Sequence, residues 1–271
     1  MIEYNQFKKD LLFKVKEKCL ENNDKISIYL SENHDEIDKL IKRMYDKYNG
    51  NVESALNDTF IVIIDKMLKL QSDSDYLLDN VYINLINYER NKELIQDLPY
   101  KKVLDLVMIL KVLVFKDDYG VYSFKLNNKL LETFNISISV DEIFNKALLN
   151  TERLFQCKIN TLNEFLTQAT GQPLPDTDFS IVTNAMSLNG ASTILYRDTL
   201  ETLANKFNGD LILLPSSIHE FIVSGYDRNI DSEFCRKMVK DVNDEVLSEE
   251  EILSYNVYIY CRDTKELKMW V

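Results

Sequence analysis

The sequence predicts an α+β protein: a mostly antiparallel sheet with helices packed on it, preceded by a helical N-terminal region. Three observations support this class. Apolar residues near the start recur every four positions, as in amphipathic helices. Alternating or continuous apolar segments follow, and short turns join most of them, as in antiparallel strands. Hydrophobic residues fill 45% of the 271 positions, which is enough for a large core.

The N-terminal region, residues 1–75, is predicted to be rich in helix. Phe7, Leu11, Val15 and Cys19 share one face of a helix over 3–20. Further helices are expected at 35–48 and 52–70, and the alternating residues of 25–30 predict a short strand.

Residues 76–271 are predicted to form an α+β domain. The apolar run 104–115 indicates a central strand, because it is rich in β-branched residues and turn signals flank it. Ser139 is expected to cap a helix, since Asp141 and Glu142 follow in its first turn. The other expected strands are 80–88, 121–126, 179–186, 191–196, 210–215 and 217–223, with helices at 197–207 and 232–243 and a final hairpin at 256–271.

The stretch 169–178 contains two prolines and a glycine, so it predicts a seam between two halves of this domain. A weak internal similarity lies around that seam. Residues 120–132 overlay 190–202 at a shift of 70 positions, each with a glycine, an alternating segment, a polar pair and a leucine. This pattern favours a strand–turn–strand–helix repeat, with a chance match as the alternative.

Charge and cysteine usage narrow the function classes. The net charge is −12 and no segment is strongly basic, so no nucleic-acid partner is expected. The four cysteines are unpaired in spacing and only two histidines occur, so neither a metal site nor a cofactor is expected. No apolar run approaches the ~18 residues of a membrane helix. No secretion signal opens the sequence, which predicts a cytoplasmic protein without a membrane partner.

The segment LPSSIHEFIV holds the low-ranked ligand-binding candidates: Ser217, His219 and Glu220. On an extended strand Ser217 and His219 would share a face, with Cβ atoms roughly 6–7 Å apart. A nucleophilic Ser–His pair needs a hydrogen bond of about 2.6–3.2 Å, so no catalytic residue is assigned. The alternative is structural: the serines satisfy a turn after Pro215, and His219 fills a half-buried polar position.

Other polar residues point to structural roles. His34 is expected at the start of the second helix. The carboxylates of 241–251 lack the spacing of a calcium loop. Ser248 is expected to cap a helix whose first turn holds the acidic residues 249–251. Phosphate-binding glycine loops and zinc-protease motifs do not occur.

Several segments in order resemble an uncharacterised bacterial family, the domain of unknown function 5688. They are 81–114, the NTERLF segment at 150–155, 195–223 and 242–260. The resemblance implies a cytoplasmic protein encoded by bacteria or by their mobile elements. It implies no catalytic or binding residues, since none are established for the family. Abundant Lys and Asn, whose codons are AT-rich, agree with a low-G+C bacterial or mobile-element origin.

The sequence therefore favours a non-enzymatic cytoplasmic interaction or accessory factor that binds another protein. The alternative is an enzyme of unrecognised class, with a pocket near Ser217, His219 and Glu220. The sequence leaves the oligomeric state and the partner open.

Overall fold

The structure is a computed structural model that describes residues 2–18, 34–56, 61–117, 120–134, 136–164, 167, 171 and 178–271. The strand predicted at 25–30 lies outside these residues, as does most of the seam predicted at 169–178. The chain divides into two compact units: residues 1–77 with 112–124, and residues 78–111 with 125–271. The boundary predicted between residues 75 and 76 stays a prediction.

The first unit is built mainly from helices. They are α1 (Tyr4–Lys18), α2 (His34–Lys47), α3 (Val52–Ala55) and α4 (Ile61–Ser72). The apolar face predicted for α1 is buried, with Phe7, Leu11 and Val15 almost fully inaccessible to solvent. It packs beside α2, where Lys8 Nζ lies 2.6 Å from the Asp38 carboxylate. Spacing of four residues therefore predicted this helix and its buried face correctly.

Helix α5 (Ser74–Asn80) leads into the first sheet. Its strands are β1 (Val81–Asn87), β2 (Tyr100–Val103), β3 (Leu106–Asp117) and β4 (Gly120–Lys125). The order is β1–β3–β2, and β4 also pairs with β3. Strand β3 is the predicted central strand, buried along most of its length because nearly every position is apolar. Helices α6 (Asn128–Thr133) and α7 (Val140–Leu154) follow β4.

Helix α7 lies against β1 in the second unit. The Thr151 hydroxyl accepts a hydrogen bond of 2.8 Å from the backbone nitrogen of Ile83. The Asn150 amide donates to the carbonyls of Leu78 and Val81, at 2.8 and 2.9 Å. These side chains satisfy backbone groups of β1 and of the end of α5, so α7 lies close to the strand.

The second sheet has the order β10–β9–β7–β8–β6–β5, and its pairs are antiparallel. Its strands are β5 (Cys157–Thr161), β6 (Phe179–Asn184), β7 (Leu211–Pro215), β8 (Phe221–Gly225), β9 (Tyr258–Cys261) and β10 (Glu266–Met269). Strand β7 is buried at every position. Helices α8 (Thr199–Lys206) and α9 (Ser232–Val246) accompany this sheet. Cys235 and Val239 of α9 pack on Ile212 and Leu214 of β7.

The α+β class, the antiparallel pairing and the N-terminal helix are confirmed. The strand predicted at 191–196 is wrong, because residues Gly190–Leu195 form a 3-10 helix. The hydroxyls of Ser192 and Thr193 bond back to the carbonyls of Asn189 and Gly190, which favours a helical turn over a ladder. The proposed repeat is not confirmed, since β4 is a strand where its counterpart is 3-10 helix. Within the described residues, no helix is both long and apolar enough to cross a membrane.

Candidate functional site

The three candidate residues lie in the connection between β7 and β8, at residues 216–220, called the β7–β8 turn below. The strand predicted at 217–223 therefore begins later, at Phe221. Ser217 is buried, and His219 and Glu220 are half-buried. A turn brings side chains together that an extended strand would hold apart, so the geometry here differs from the one predicted.

Ser217 is bonded within the turn. Its hydroxyl donates to Glu220 Oε1 at 2.7 Å and accepts from the backbone nitrogen of His219 at 2.9 Å. Its backbone nitrogen donates to the Glu220 carbonyl at 3.3 Å. Because the hydroxyl hydrogen points to the Glu220 carboxylate, Ser217 and Glu220 form a pair that closes the turn. The imidazole of His219 is not the hydrogen-bond acceptor of this hydroxyl.

His219 has a different set of partners. Its Nδ1 accepts a hydrogen bond from the backbone nitrogen of Asn189 at 3.0 Å, so the ring proton is carried by Nε2. The Nε2 atom lies 3.7 Å from Glu251 Oε1. The imidazole is thus oriented between a backbone donor and a carboxylate.

Glu251 belongs to the short segment after α9. The Ser248 hydroxyl donates to Glu251 Oε2 at 2.8 Å, and the Ser248 backbone nitrogen donates to the same oxygen at 3.2 Å. These bonds, with a smaller contribution from His219, lower the pKa of the Glu251 carboxyl. The helix expected after Ser248 is wrong, because only a single turn follows it. The Ser248 hydroxyl donates to a carboxylate here, whereas the hydroxyl of a helix N-cap accepts from a backbone nitrogen.

Backbone hydrogen bonds also hold the turn to its neighbours. The Thr183 hydroxyl donates to the His219 carbonyl at 2.8 Å, and the backbone nitrogen of Ala191 donates to the Ile218 carbonyl at 3.2 Å. The Ile218 nitrogen donates to the Glu251 carbonyl at 2.9 Å. These contacts give Ser217, His219 and Glu220 a rigid, hydrogen-bonded setting that can orient one imidazole and one carboxylate.

The remaining chemical candidates are placed as follows. His34 is the first residue of α2. Burial raises the pKa of the Cys157 and Cys235 thiols, which keeps them protonated and poorly nucleophilic. Among the residues that the structure describes, no three His, Cys, Asp or Glu side chains are grouped so as to hold a metal ion.

A different surface of the second unit is exposed and apolar. Helix α9 buries Cys235, Val239 and Asn243 toward the sheet, and Asn243 Nδ2 lies 3.3 Å from the Pro215 carbonyl. Beside this buried face, on one flank of the helix, lies the α9 ridge, four apolar residues spaced four apart: Phe234, Met238, Val242 and Val246, which are 64%, 37%, 51% and 73% exposed. Residues four apart are adjacent on a helix surface, so the ridge is continuous.

The sequence carries a signal for this ridge that the search for chemical motifs missed. Over 234–246, apolar residues form two columns, one at 235 and 239 and another at 234, 238, 242 and 246. Residues 235, 238, 239 and 242 follow the i, i+3, i+4, i+7 spacing of one apolar stripe, so the two columns adjoin. The sheet covers only the first column, which leaves the second exposed as the ridge.

The fold and these two features define an α+β protein of two compact units, with a hydrogen-bonded β7–β8 turn and an exposed apolar helix ridge. The model of the family of unknown function DUF5688 matches residues 4–262, so the chain belongs to that family. No curated protein and no solved structure matches the chain significantly.

Proposed function

We propose that this chain is a non-enzymatic interaction or accessory factor that binds another protein through the α9 ridge. The observation that supports the proposal is the exposure of four large apolar side chains in one row. Exposed apolar side chains gain free energy when a partner removes them from water, at about 25 cal/mol per Å². Contiguous apolar surface on a folded protein is typical of an interaction site.

The way α9 is held supports the same role. Asp231 caps the helix by accepting a hydrogen bond of 3.3 Å from the backbone nitrogen of Phe234. Arg236 Nη1 donates to the Trp270 carbonyl at 2.9 Å, and Asn243 anchors the C-terminal half. A ridge fixed in this way loses little conformational entropy on binding, which favours affinity.

The setting of the protein is also part of this proposal. The AT-rich codons of its abundant Lys and Asn, together with the family resemblance, support a bacterial origin and a gene on a mobile element. The absence of basic segments in a chain of net charge −12 supports a protein partner over nucleic acid. The unpaired spacing of the four cysteines and the family resemblance support a place in the cytoplasm.

Site-specific photocrosslinking in the native host tests the proposed function. A photoreactive amino acid replaces Met238 on the ridge or, as the control, Lys146 on the exposed side of α7. We expect at least tenfold more crosslinked partner protein from position 238 than from position 146. Adding Val242→Asp to the variant labelled at 238 should abolish this excess, because it places a charge on the ridge. Equal crosslinking yields at the two positions would rule out the ridge as the binding surface. A yield at 238 that Val242→Asp leaves unchanged would rule it out as well.

The enzyme alternative is supported by one observation, the half-buried His219 that faces Glu251 across 3.7 Å. Direct proton transfer needs about 2.6–3.2 Å, so a bridging water or substrate would have to join the two groups. His219→Ala separates the two functions. If it removed the cellular phenotype of the chain while crosslinking at 238 stayed unchanged, the enzyme would be favoured.

A further inference from the structure

We infer that the α9 ridge binds a second copy of this chain, with the two α9 helices antiparallel across a two-fold axis. The inference rests on the proposed function, because it names the partner of the same ridge. It is drawn from the distribution of charge along α9, because the charges of one α9 are complementary to those of a second α9 that runs in the opposite direction.

Charge is divided between the two halves of α9. The N-terminal half carries Arg236, Lys237 and Lys240 with Glu233, and the C-terminal half carries Asp241, Asp244 and Glu245 without a basic residue. One half is therefore net positive and the other is net negative. An antiparallel partner of the same sequence places each half against its opposite, whereas a parallel partner would place like charges together.

The apolar residues of the ridge are also compatible with a two-fold axis between antiparallel helices. The ridge is centred between Met238 and Val242, so a two-fold axis at that point places Phe234 opposite Val246 of the second copy. It also places Met238 opposite Val242 of the second copy. Ridges of residues four apart interdigitate when two helices pack. Each contact occurs twice in such an interface, because both copies use the same surface.

One polar flank of the ridge gives the arrangement a specific test. At 100° per residue, Lys237, Asp241 and Glu245 lie along one side of the ridge. Reversal about the ridge centre brings Lys237 between Asp241 and Glu245 of the second copy. Lys240 lies on a different side of the helix, where it pairs with Asp244 of its own chain at 2.5 Å. Lys237 is therefore the cation that faces the partner helix.

The size of the surface sets the expected affinity. A helix of 15 residues is about 22 Å long, and one helix pair buries less than the ~1,200 Å² of a standard interface. We therefore expect a weak dimer, with a dissociation constant in the micromolar range. Sedimentation velocity on the purified full chain, from about 1 µM to 1 mM, measures it.

A charge swap tests the antiparallel contact. Lys237→Glu alone, and Asp241→Lys with Glu245→Lys, should each weaken self-association at least tenfold, because each creates four like-charge contacts per dimer. An equimolar mixture of the two variants should associate about as strongly as wild type, since all four contacts are again between opposite charges. The control is Lys146→Glu on α7, which should leave self-association unchanged. Restored association in the mixture also shows that both variants are folded.

The outcomes are distinct. A wild-type chain that stays monomeric throughout the range would overturn the inference, and the proposed function would stand if position 238 still crosslinked to another protein. A dimer that Met238→Glu does not weaken would show that a different surface is used. A dimer that Met238→Glu weakens but the mixed charge variants fail to restore would overturn the antiparallel arrangement.

Discussion

Gly190 shows how closely the chain packs around the β7–β8 turn. A Cβ atom at this position would lie 2.5 Å from the His219 carbonyl oxygen and 2.7 Å from the backbone nitrogen of Asn184, and it would also meet the Thr183 hydroxyl. Two of these three contacts are with backbone atoms, which cannot rotate away. The residue that precedes it, Asn189, has a positive φ of 53°, so the backbone here turns sharply.

Gly190→Ala is therefore expected to lower the free energy of unfolding by about 3 kcal/mol, at the upper end of overpacking substitutions. Gly209→Ala is the matched control, because the nearest atom to its added Cβ is 4.0 Å away. That variant should stay within about 0.5 kcal/mol of wild type. Urea unfolding followed by circular dichroism measures both, and equal losses would contradict the packing argument.

At the scale of single elements, Ser139 begins α7 with a capping box. Its hydroxyl accepts from the backbone nitrogen of Glu142 at 3.3 Å, and its backbone nitrogen donates to the Glu142 carboxylate at 2.8 Å. The sequence predicted this cap from residue types alone. Local contacts three positions apart are of the kind that sequence patterns record, which is why α1 and α7 were predicted well.

Ser139→Ala should destabilise the protein by about 1 kcal/mol, the usual cost of losing an N-cap hydroxyl. Ser137→Ala, at an exposed position two residues earlier, is the control and should have almost no effect. Thermal unfolding of the two variants beside wild type makes the comparison. A loss at Ser137 equal to that at Ser139 would show that the cap contributes nothing.

This cap also has a defined pH dependence. The hydrogen bonds from the Ser139 backbone and hydroxyl lower the pKa of Glu142 below its ordinary value of 4.5. A carboxyl with a lowered pKa in the folded state stabilises the protein above its unfolded pKa, and that contribution is lost as the pH falls through the folded pKa. The difference between wild type and Ser139→Ala should therefore shrink below about pH 4.5.

The β7–β8 hairpin marks where prediction from sequence stopped. Strand β7 was predicted almost to the residue because it is uniformly apolar. The strand-like alternation of side chains in the sequence continues through Ser217 and His219, but these residues form a turn. The Ser217 hydroxyl bonds the Glu220 carboxylate and the His219 backbone nitrogen, which favours the turn over a strand. The contacts of His219 with Asn189 and Glu251 join positions about 30 residues apart along the chain. No local pattern reports such contacts, so the setting of the candidate residues could not be predicted.

At the scale of the whole molecule, Asp105 makes a contact within the second unit that joins the β2–β3 hairpin of the first sheet to the second sheet. It lies in the turn between β2 and β3, and its carboxylate accepts from Ser254 at 2.6 Å, Asn256 at 3.0 Å and Tyr258 at 2.7 Å. Tyr258 is fully buried in β9 of the second sheet. One half-buried carboxylate with three donors therefore links residues about 150 positions apart, and the β2–β3 hairpin should unfold together with the second sheet.

Tyr258→Phe removes one of these donors while keeping the ring in the core. We expect a loss of about 1–2 kcal/mol at pH 7, because a hydrogen bond to a charged group is broken. Burial, with Asp105 nearby, raises the pKa of Tyr258 above its ordinary value of 10.0. The resulting stability is present below pH 10 and is lost as the pH rises, so the gap between wild type and Tyr258→Phe should narrow above pH 10. Urea unfolding at pH 7 and pH 11 measures that gap.

A double-mutant cycle shows whether this contact couples the sheets. Asp105→Asn and Tyr258→Phe should be non-additive by about 1 kcal/mol or more, because each removes part of the same hydrogen bond. Asp105→Asn with Tyr196→Phe is the control pair, since the Tyr196 hydroxyl donates to the Phe155 carbonyl at 2.6 Å, away from Asp105. That pair should be additive within about 0.5 kcal/mol. If the two cycles gave equal coupling, the effect would be general loosening of the second unit, and Asp105 would not be the link between the β2–β3 hairpin and the second sheet.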